Sequence, residues 1–144
     1  MTLHLVKLCV GVSTIEELQA WVDYRLDERN RRGEAPEHKH TTRMIPKRAN
    51  ELLDGGSLYW VIKGNIQVRQ PFTAIRPFTD KDGIQRCDLV LAPKLVATEW
   101  QPRRAFQGWR YLKPEEAPPD IASGSGAAAL PPELRLELAE LGLL

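Results

Sequence analysis

Residues 58–75 of the chain are LYWVIKGNIQVRQPFTAI, two runs of β-branched and aromatic residues joined by a Gly-Asn pair. Such residues favour strands, and glycine or asparagine accepts the positive φ that a tight hairpin turn requires. We therefore predict one strand over residues 58–63 and a second over residues 66–75. Because Pro71 has no N–H to donate to a sheet ladder, the second strand must lie at an edge or carry a bulge.

Further β-rich runs flank this hairpin. Residues 3–10 are apolar on both faces, which is typical of a strand that is covered on both sides. A short strand is predicted at residues 41–45, and three more runs follow the hairpin at residues 84–91, 94–101 and 106–112. These runs predict a mainly antiparallel sheet of about five to seven strands, strongly curved or barrel-like.

Two helices are predicted before the hairpin. Apolar residues recur at three- and four-residue spacing at Ile15, Leu18, Val22 and Leu26. Ser13 with Glu16 matches a capping box, and Gly33 supplies a left-handed stop, so we predict a helix over residues 14–32 that packs on one sheet face. A shorter helix is predicted over residues 46–53, since proline is tolerated at its first position.

Composition divides the chain into three parts. Its 144 residues are 42% hydrophobic and 27% charged, which fits one globular domain and excludes global disorder. We predict this domain over residues 1–115, a linker rich in Pro, Gly, Ala and Ser over residues 116–130, and an acidic amphipathic helix over residues 131–144. The predicted fold class is α+β, with the N-terminal helix packed on the sheet and a short C-terminal helix.

The cysteines and the N-terminus bear on the compartment. Cys9 and Cys87 lie in apolar stretches without the close spacing of a metal knuckle or a redox pair, so buried thiols are expected. The apolar runs are too short to cross a bilayer, and Lys7 interrupts what would be the apolar core of a secretory signal. We therefore expect a cytoplasmic protein that does not associate with membranes.

The net charge of +1 hides an uneven distribution. Residues 1–37 carry a net charge of −2 and residues 114–144 a net charge of −5. Between them, residues 38–113 contain 14 basic and 6 acidic side chains, a net charge of +8. A basic segment between two acidic segments indicates a surface that binds a polyanion.

Basic and aromatic residues alternate most densely over residues 101–113, QPRRAFQGWRYLK. Guanidinium groups bind phosphate oxygens in a bidentate manner, and an exposed ring stacks on an unpaired base for about 1–3 kcal/mol. We expect Trp100 and Trp109 to be partly exposed beside the arginines, and Trp21 and Trp60 to lie in the core. The alternative is that these rings point inward and the cations only solvate the surface.

A second segment, TTRMIPKR at residues 41–48, brings hydroxyls, a helix N-terminus and cations together, a combination that captures phosphate. A plain helix cap with solvated cations explains the same residues. The expected partner of both segments is RNA or another single-stranded nucleic acid, or a nucleotide. The predicted nucleic-acid-binding residues are Arg43, Lys47, Arg48, Arg103, Arg104, Trp109 and Arg110.

Other kinds of site find less support in the sequence. His38 and His40 could share a metal ion on a strand, but no third ligand follows at a recognisable spacing, so we predict neither a metal nor a cofactor. The motifs of nucleophile elbows, phosphate-binding loops and dinucleotide folds are missing, and we favour binding over catalysis. Two alternatives stay open. One is a small enzyme acting on nucleic acid, with Lys47 or Lys63 beside Asp88, and the other is an adaptor whose acidic C-terminal helix docks on a basic face.

Four blocks of the sequence resemble a short bacterial family, found mostly in alphaproteobacteria, that is known as domain of unknown function 1489. The blocks are LHLVKLCVG at residues 3–11, HTTRMIPKRANELLDGGSLYWVIKG at 40–64, QRCDLVLAPKLV at 85–96 and RRAFQGWRYLKPEEAPPD at 103–120. This resemblance implies no particular activity. The order of the elements also resembles PUA-like barrels (PUA, ASCH and EVE domains), which implies an RNA or modified-base ligand by analogy of architecture alone.

Overall fold

The structure is a computed structural model that describes residues 2–121, which form an α+β fold. The strands are β1 (His4–Leu8), β2 (His38–Thr42), β3 (Ser57–Ile62), β4 (Asn65–Thr79), β5 (Gln85–Leu91), β6 (Val96–Pro102) and β7 (Trp109–Leu112). The helices are α1 (Ile15–Arg31) and α2 (Ala49–Leu52), followed by a 3-10 turn at Pro114–Glu116. None of the helices within residues 2–121 is long and apolar enough to cross a membrane.

The strands form one mixed sheet in the order β2-β5-β4-β3-β1-β7, and β6 also pairs with β4. β1 runs parallel to β3, and the other pairs are antiparallel. β2 and β7 lie at the two ends of this path and do not pair with each other. The predicted mainly antiparallel α+β fold is therefore confirmed. The predicted barrel-like, PUA-like closure is not confirmed, because the two end strands leave the sheet open.

The long strand β4 bends the sheet. Its first half pairs with β3 as far as Pro71, and its second half pairs with β5 from Phe72 onwards, with a bulge between Phe72 and Ala74. The predicted irregularity near Pro71 thus falls where the strand changes partner. The bend brings β2 back towards β3. Two strands separate β2 from β3 in the sheet, yet the ring centroids of His40 and Trp60 are only 5.3 Å apart.

Hydrophobic clusters cover both faces of the sheet, because successive residues of a strand point to opposite sides. On one face, α1 packs through Leu18 and Val22 onto strand residues that include Leu5 and Trp60. The second face carries a smaller cluster. Its buried members are Val6, Tyr59, Val61, Ile66 and Leu112.

The N-terminal cap of α1 lies one residue later than predicted. The hydroxyl of Thr14 accepts a hydrogen bond from the Glu17 N–H, and the Glu17 carboxylate accepts one from the Ser13 N–H, both at 3.1 Å. The Ser13/Glu16 box is therefore wrong by one position, because Thr14 has the extended backbone of a cap residue. Gly33 has a φ of 71° and ends the helix as predicted.

The segment between α1 and β3 differs most from prediction. β2 begins at His38, three residues before the predicted strand, and pairs with β5 through His38 and Leu91. After β2 the Thr42 hydroxyl donates to the Met44 carbonyl oxygen at 2.9 Å and turns the chain. The predicted helix over residues 46–53 is reduced to the four residues of α2. Residues 43–48 therefore form a loop.

After β7 the chain returns along β6. The backbone N–H of Glu99 donates to the Pro119 carbonyl oxygen at 2.9 Å, and the backbone N–H of Ile121 donates to the Ala97 carbonyl oxygen at 3.0 Å. The Arg69 guanidinium donates to both carboxylate oxygens of Asp120 at 2.8 Å. The predicted linker begins at residue 116, so its first residues pack on the sheet. The rest of that linker and the helix predicted over residues 131–144 lie outside the described residues.

Candidate nucleic-acid interface

Strand β7 anchors the loop of residues 43–48. The Tyr111 hydroxyl accepts hydrogen bonds from the backbone N–H groups of Lys47, at 3.0 Å, and Arg48, at 3.2 Å. The indole Nε1 of Trp109 donates to the Met44 carbonyl oxygen at 3.1 Å. These three hydrogen bonds hold the backbone of the loop against the sheet, while Arg43 and Lys47 stay exposed.

Residues 103–108 join β6 to β7 across one end of the sheet. β1 and β3 run parallel and finish at this end, and β7 begins there opposite Lys7. The backbone N–H of Arg103 donates to the Gly64 carbonyl oxygen at 2.9 Å, which fixes the connection beside the β3–β4 turn. Further along, Phe106 packs on the smaller cluster and the Arg110 guanidinium lies 5.5 Å from its ring centroid.

The structure places all seven predicted residues in β7 or in the two loops that adjoin it, but on different sides of the strand. The loop of residues 43–48 lies against Trp109 and Tyr111, which share one face of β7. Arg110 points to the opposite face. Arg103 and Arg104 lie in the connection that enters β7, and Arg104 is exposed.

Ion pairing separates the arginines of the basic segment into two groups. Arg48, Arg69, Arg76 and Arg86 pair with carboxylates: Glu51, Asp120, Glu37 and Asp80, respectively. The other arginines of residues 38–113 form no ion pair with any residue in the range 2–121, and all of them lie in or beside β7. They are Arg43, Arg103, Arg104 and Arg110.

The tryptophans correct the sequence prediction. Trp100 and Trp109 were expected to be partly exposed, but only 8% and 7% of their surfaces are exposed. Trp109 packs in the larger hydrophobic cluster and its indole donates to the Met44 carbonyl oxygen, so its ring is not available to a stacking base. Trp21 was expected in the core and is 46% exposed, because α1 packs through Leu18 and Val22 instead. Trp60 is buried as predicted.

A pocket of about 810 Å³ opens between α1 and β2, and no pattern in the sequence predicted it. Its walls come from segments that are distant in sequence. The residues that line it include Lys7 and Cys9 at the end of β1, Trp21, Tyr24 and Arg25 of α1, His38, Lys39 and His40 of β2, and Trp60 of β3. The sequence feature that could have indicated this pocket is the pair Trp21 and Tyr24. These residues lie one helical turn apart, and their stacked rings have centroids 5.8 Å apart.

The charged lining of this pocket is mainly cationic. Lys7, Arg25 and Lys39 line it together with one carboxylate, that of Glu17. Glu17 is engaged at the start of α1, where it accepts from Ser13. Burial lowers the pKa of Lys7, which forms no ion pair with any residue from 2 to 121. The pocket therefore offers positive charge to a ligand.

Two neutral histidines complete the pocket. Burial lowers the pKa of His38, and burial together with nearby Lys7 lowers that of His40 to about 4. Gln70 fixes His38 and Trp60, because its Nε2 donates to His38 Nδ1 at 2.9 Å and its Oε1 accepts from the Trp60 indole at 3.2 Å. The imidazole of His40 makes no hydrogen bond to the rest of the described chain and packs edge-on against Trp60.

The described residues do not assemble the histidine metal site that the sequence disfavoured or the lysine–aspartate pair of the enzyme alternative. Within residues 2–121, no group of three or more His, Cys, Asp or Glu side chains is arranged to hold a metal ion. Burial raises the pKa of the Cys9 thiol to about 12, which keeps it protonated at neutral pH. Asp88 accepts from the Thr41 hydroxyl at 2.6 Å on the β2–β5 pair, and neither Lys47 nor Lys63 bonds to it in the described part of the chain.

Comparisons with known proteins give one match. No curated protein and no solved structure matches the chain. The sequence model of one family, described as protein of unknown function (DUF1489), matches residues 5–144. That match covers nearly the whole chain and confirms the resemblance of its sequence blocks. The chain therefore belongs to the DUF1489 family.

Proposed function

We propose that this protein binds single-stranded nucleic acid, RNA in the first place, through the surface around β7. This phosphate surface consists of Arg43, Lys47, Arg103, Arg104 and Arg110. The observation that carries the proposal is the distribution of ion pairs. Among the described residues, every arginine of the basic segment that lacks a carboxylate partner lies in or beside β7.

An unpaired guanidinium is ready to bind phosphate. Its N–H groups match phosphate oxygens in a bidentate manner, and binding releases counterions from the nucleic acid. A paired arginine such as Arg69 must first leave its carboxylate. The unpaired arginines therefore bind phosphate at the lower cost in free energy.

The placement of the cations favours a flexible strand. Arg110 lies on one side of β7, and the loop with Arg43 and Lys47 lies on the other. A single strand can follow cations around the edge of a sheet, because its backbone bends freely, whereas a stiff duplex cannot.

The sequence predicted that Arg48 and Trp109 bind nucleic acid, but in this proposal both contact other residues of the protein instead. Arg48 pairs with Glu51 and lies 5.6 Å from the Tyr111 ring centroid, and Trp109 bonds to Met44. Both hold the loop that carries Arg43 and Lys47. We therefore assign them to positioning the phosphate surface rather than to ligand contact.

Fluorescence anisotropy with a labelled single-stranded RNA of about twelve nucleotides tests the proposal. The variant Arg103→Ala plus Arg104→Ala is expected to lose about tenfold or more in affinity at low salt, since two phosphate contacts are removed. The matched control is Lys81→Ala plus Lys94→Ala, which removes the same charge from the β4–β5 turn and from the start of the β6 region.

Two outcomes would count against the phosphate surface. Equal losses in the arginine variant and the lysine control would show that only net charge matters. Absence of binding by the unaltered protein at low salt would overturn the proposal as a whole.

A further inference from the structure

The pocket between α1 and β2 differs from the phosphate surface because aromatic side chains line it beside its cations. Its volume of about 810 Å³ lies within the range of small-molecule sites. Aromatic rings line it at the rim, where Trp21 and Tyr24 stack, and at the floor, where His40 packs against Trp60. A planar ring entering the pocket would therefore meet aromatic side chains at both levels.

The polar groups of the pocket define the charge of its ligand. Lys7 reaches into it without a carboxylate partner among residues 2–121, and Arg25 and Lys39 add two further cations. His40 has ring nitrogens that bond to no other part of the described chain, and a neutral imidazole offers one donor and one acceptor. These groups suit a ligand that combines a polar heterocycle with an anionic group.

We propose that this pocket binds one nucleotide unit, with the base between the Trp21–Tyr24 pair and His40 and the phosphate towards Lys7, Arg25 and Lys39. The free nucleoside monophosphate and one unstacked residue of an RNA share this chemistry. The RNA source rests on the proposed function, whereas the free nucleotide does not. Base stacking on such rings is tolerant of sequence, so pocket shape and His40 decide which base is preferred.

The pocket adjoins the phosphate surface. Leu8 lines the pocket and packs in the same cluster as Phe106, the ring under Arg110. Lys7 pairs in register with Trp109, whose indole holds the loop of residues 43–48. A strand with one base in the pocket therefore leaves it next to the residues proposed to bind its neighbouring phosphates.

Isothermal titration calorimetry with AMP, GMP, CMP and UMP tests the pocket directly. At least one monophosphate is expected to bind, with its nucleoside about tenfold weaker and inorganic phosphate undetected, because base and phosphate are held together. Trp21→Ala and Lys7→Met should each lower that affinity about tenfold. Phe78→Ala and Lys94→Ala are the controls, since they remove an exposed ring and a cation outside the pocket.

Folding is verified by thermal unfolding of each variant. Because Lys7 is half-buried, Tyr24→Ala, which alters an exposed residue, replaces Lys7→Met if that variant is unstable. The same variants are then measured for RNA affinity. A loss of RNA binding in Trp21→Ala but not in Phe78→Ala supports the RNA source, even where no free nucleotide binds.

The outcomes separate this inference from the proposed function. Nucleotide binding that depends on Trp21, in a protein that does not bind RNA, supports the pocket and overturns the proposed function. RNA binding that depends on Arg103 and Arg104 but not on Trp21, with no nucleotide bound, overturns the pocket alone. A self-association that Trp21→Ala abolishes, with nucleotide and RNA binding unchanged, would assign the rim to a second copy and also overturn the inference.

Discussion

The hydroxyl oxygen of Tyr111 accepts a hydrogen bond from the backbone N–H of Lys47 at 3.0 Å. The two residues are 64 positions apart in the sequence. The same oxygen accepts from the N–H of Arg48 at 3.2 Å, so a single side chain of the edge strand satisfies two consecutive backbone donors. The loop that carries Arg43 and Lys47 is thereby attached to β7.

Replacement of Tyr111 by Phe should lower the free energy of unfolding by about 1–2 kcal/mol, because two backbone N–H groups lose their acceptor. Urea unfolding measures this change. The control is Tyr24→Phe, which removes an exposed hydroxyl that bonds to Glu28 and should leave stability almost unchanged. Equal effects of the two substitutions would show that the Tyr111 hydroxyl does not hold the loop.

The pKa of His40 predicts a loss of stability in mild acid. Its pKa is about 4 in the folded protein, against 6.5 for a free histidine, so the unfolded chain binds more protons between these values. The free energy of unfolding therefore falls as the pH drops below 6.5, by about 2 kcal/mol at pH 5 from this group. His40→Phe keeps a ring against Trp60 and should lose less on the same change of pH. A variant that loses as much as the unaltered protein would contradict the assignment.

Gly56 is predicted to tolerate no side chain. A Cβ atom there would lie 2.2 Å from the Leu3 carbonyl oxygen and 2.3 Å from that of Leu52, and both are backbone atoms. Gly56→Ala should therefore lower the free energy of unfolding by about 3 kcal/mol or more. Gly64→Ala is the control. It adds a methyl group in open space at a φ of 81°, and this strain should cost only about 1–2 kcal/mol.

The bidentate contact between Arg69 and Asp120 fastens the segment after β7 to the sheet. The Arg69 guanidinium holds the pKa of Asp120 below its usual range, which shows that the contact favours the charged carboxylate. Asp120→Asn should lower the free energy of unfolding by about 1 kcal/mol, a modest value because the pair is partly exposed. Asp82→Asn, in the β4–β5 turn, should change stability little, and an equal effect of both would refute the contact's contribution.

Local sequence patterns were sufficient for most of the strands. β3, β4 and β5 lie within a few residues of their predicted positions, because their apolar runs are bounded by turn residues. β2 was misplaced, since HKHTT has no apolar alternation. The residues of β2 are held by contacts with residues distant in sequence. His38 is hydrogen-bonded to Gln70, and His40 packs against Trp60. The parallel pairing of β1 with β3 is a long-range contact that no local pattern encodes.

The positions of the predicted site residues in the fold follow from the sequence only in part. The closeness of Arg103, Arg104 and Arg110 follows from their positions in the sequence, and the predicted role of Arg43 led to a loop that lies against β7. The burial of Trp109 could not be predicted, because Met44, whose carbonyl oxygen accepts from the indole, is 65 positions away. The pocket was missed because α1, β1 and β2 meet there only after the sheet bends.

The dependence of RNA affinity on salt concentration tests the phosphate surface most directly. Each phosphate neutralised on a single strand contributes about −0.7 to the slope of the logarithm of the association constant against the logarithm of salt concentration. Five cations predict a slope of about −3.5, and the loss of Arg103 and Arg104 a slope of about −2. A slope near zero for the unaltered protein, or the same slope for both proteins, would contradict binding through this surface.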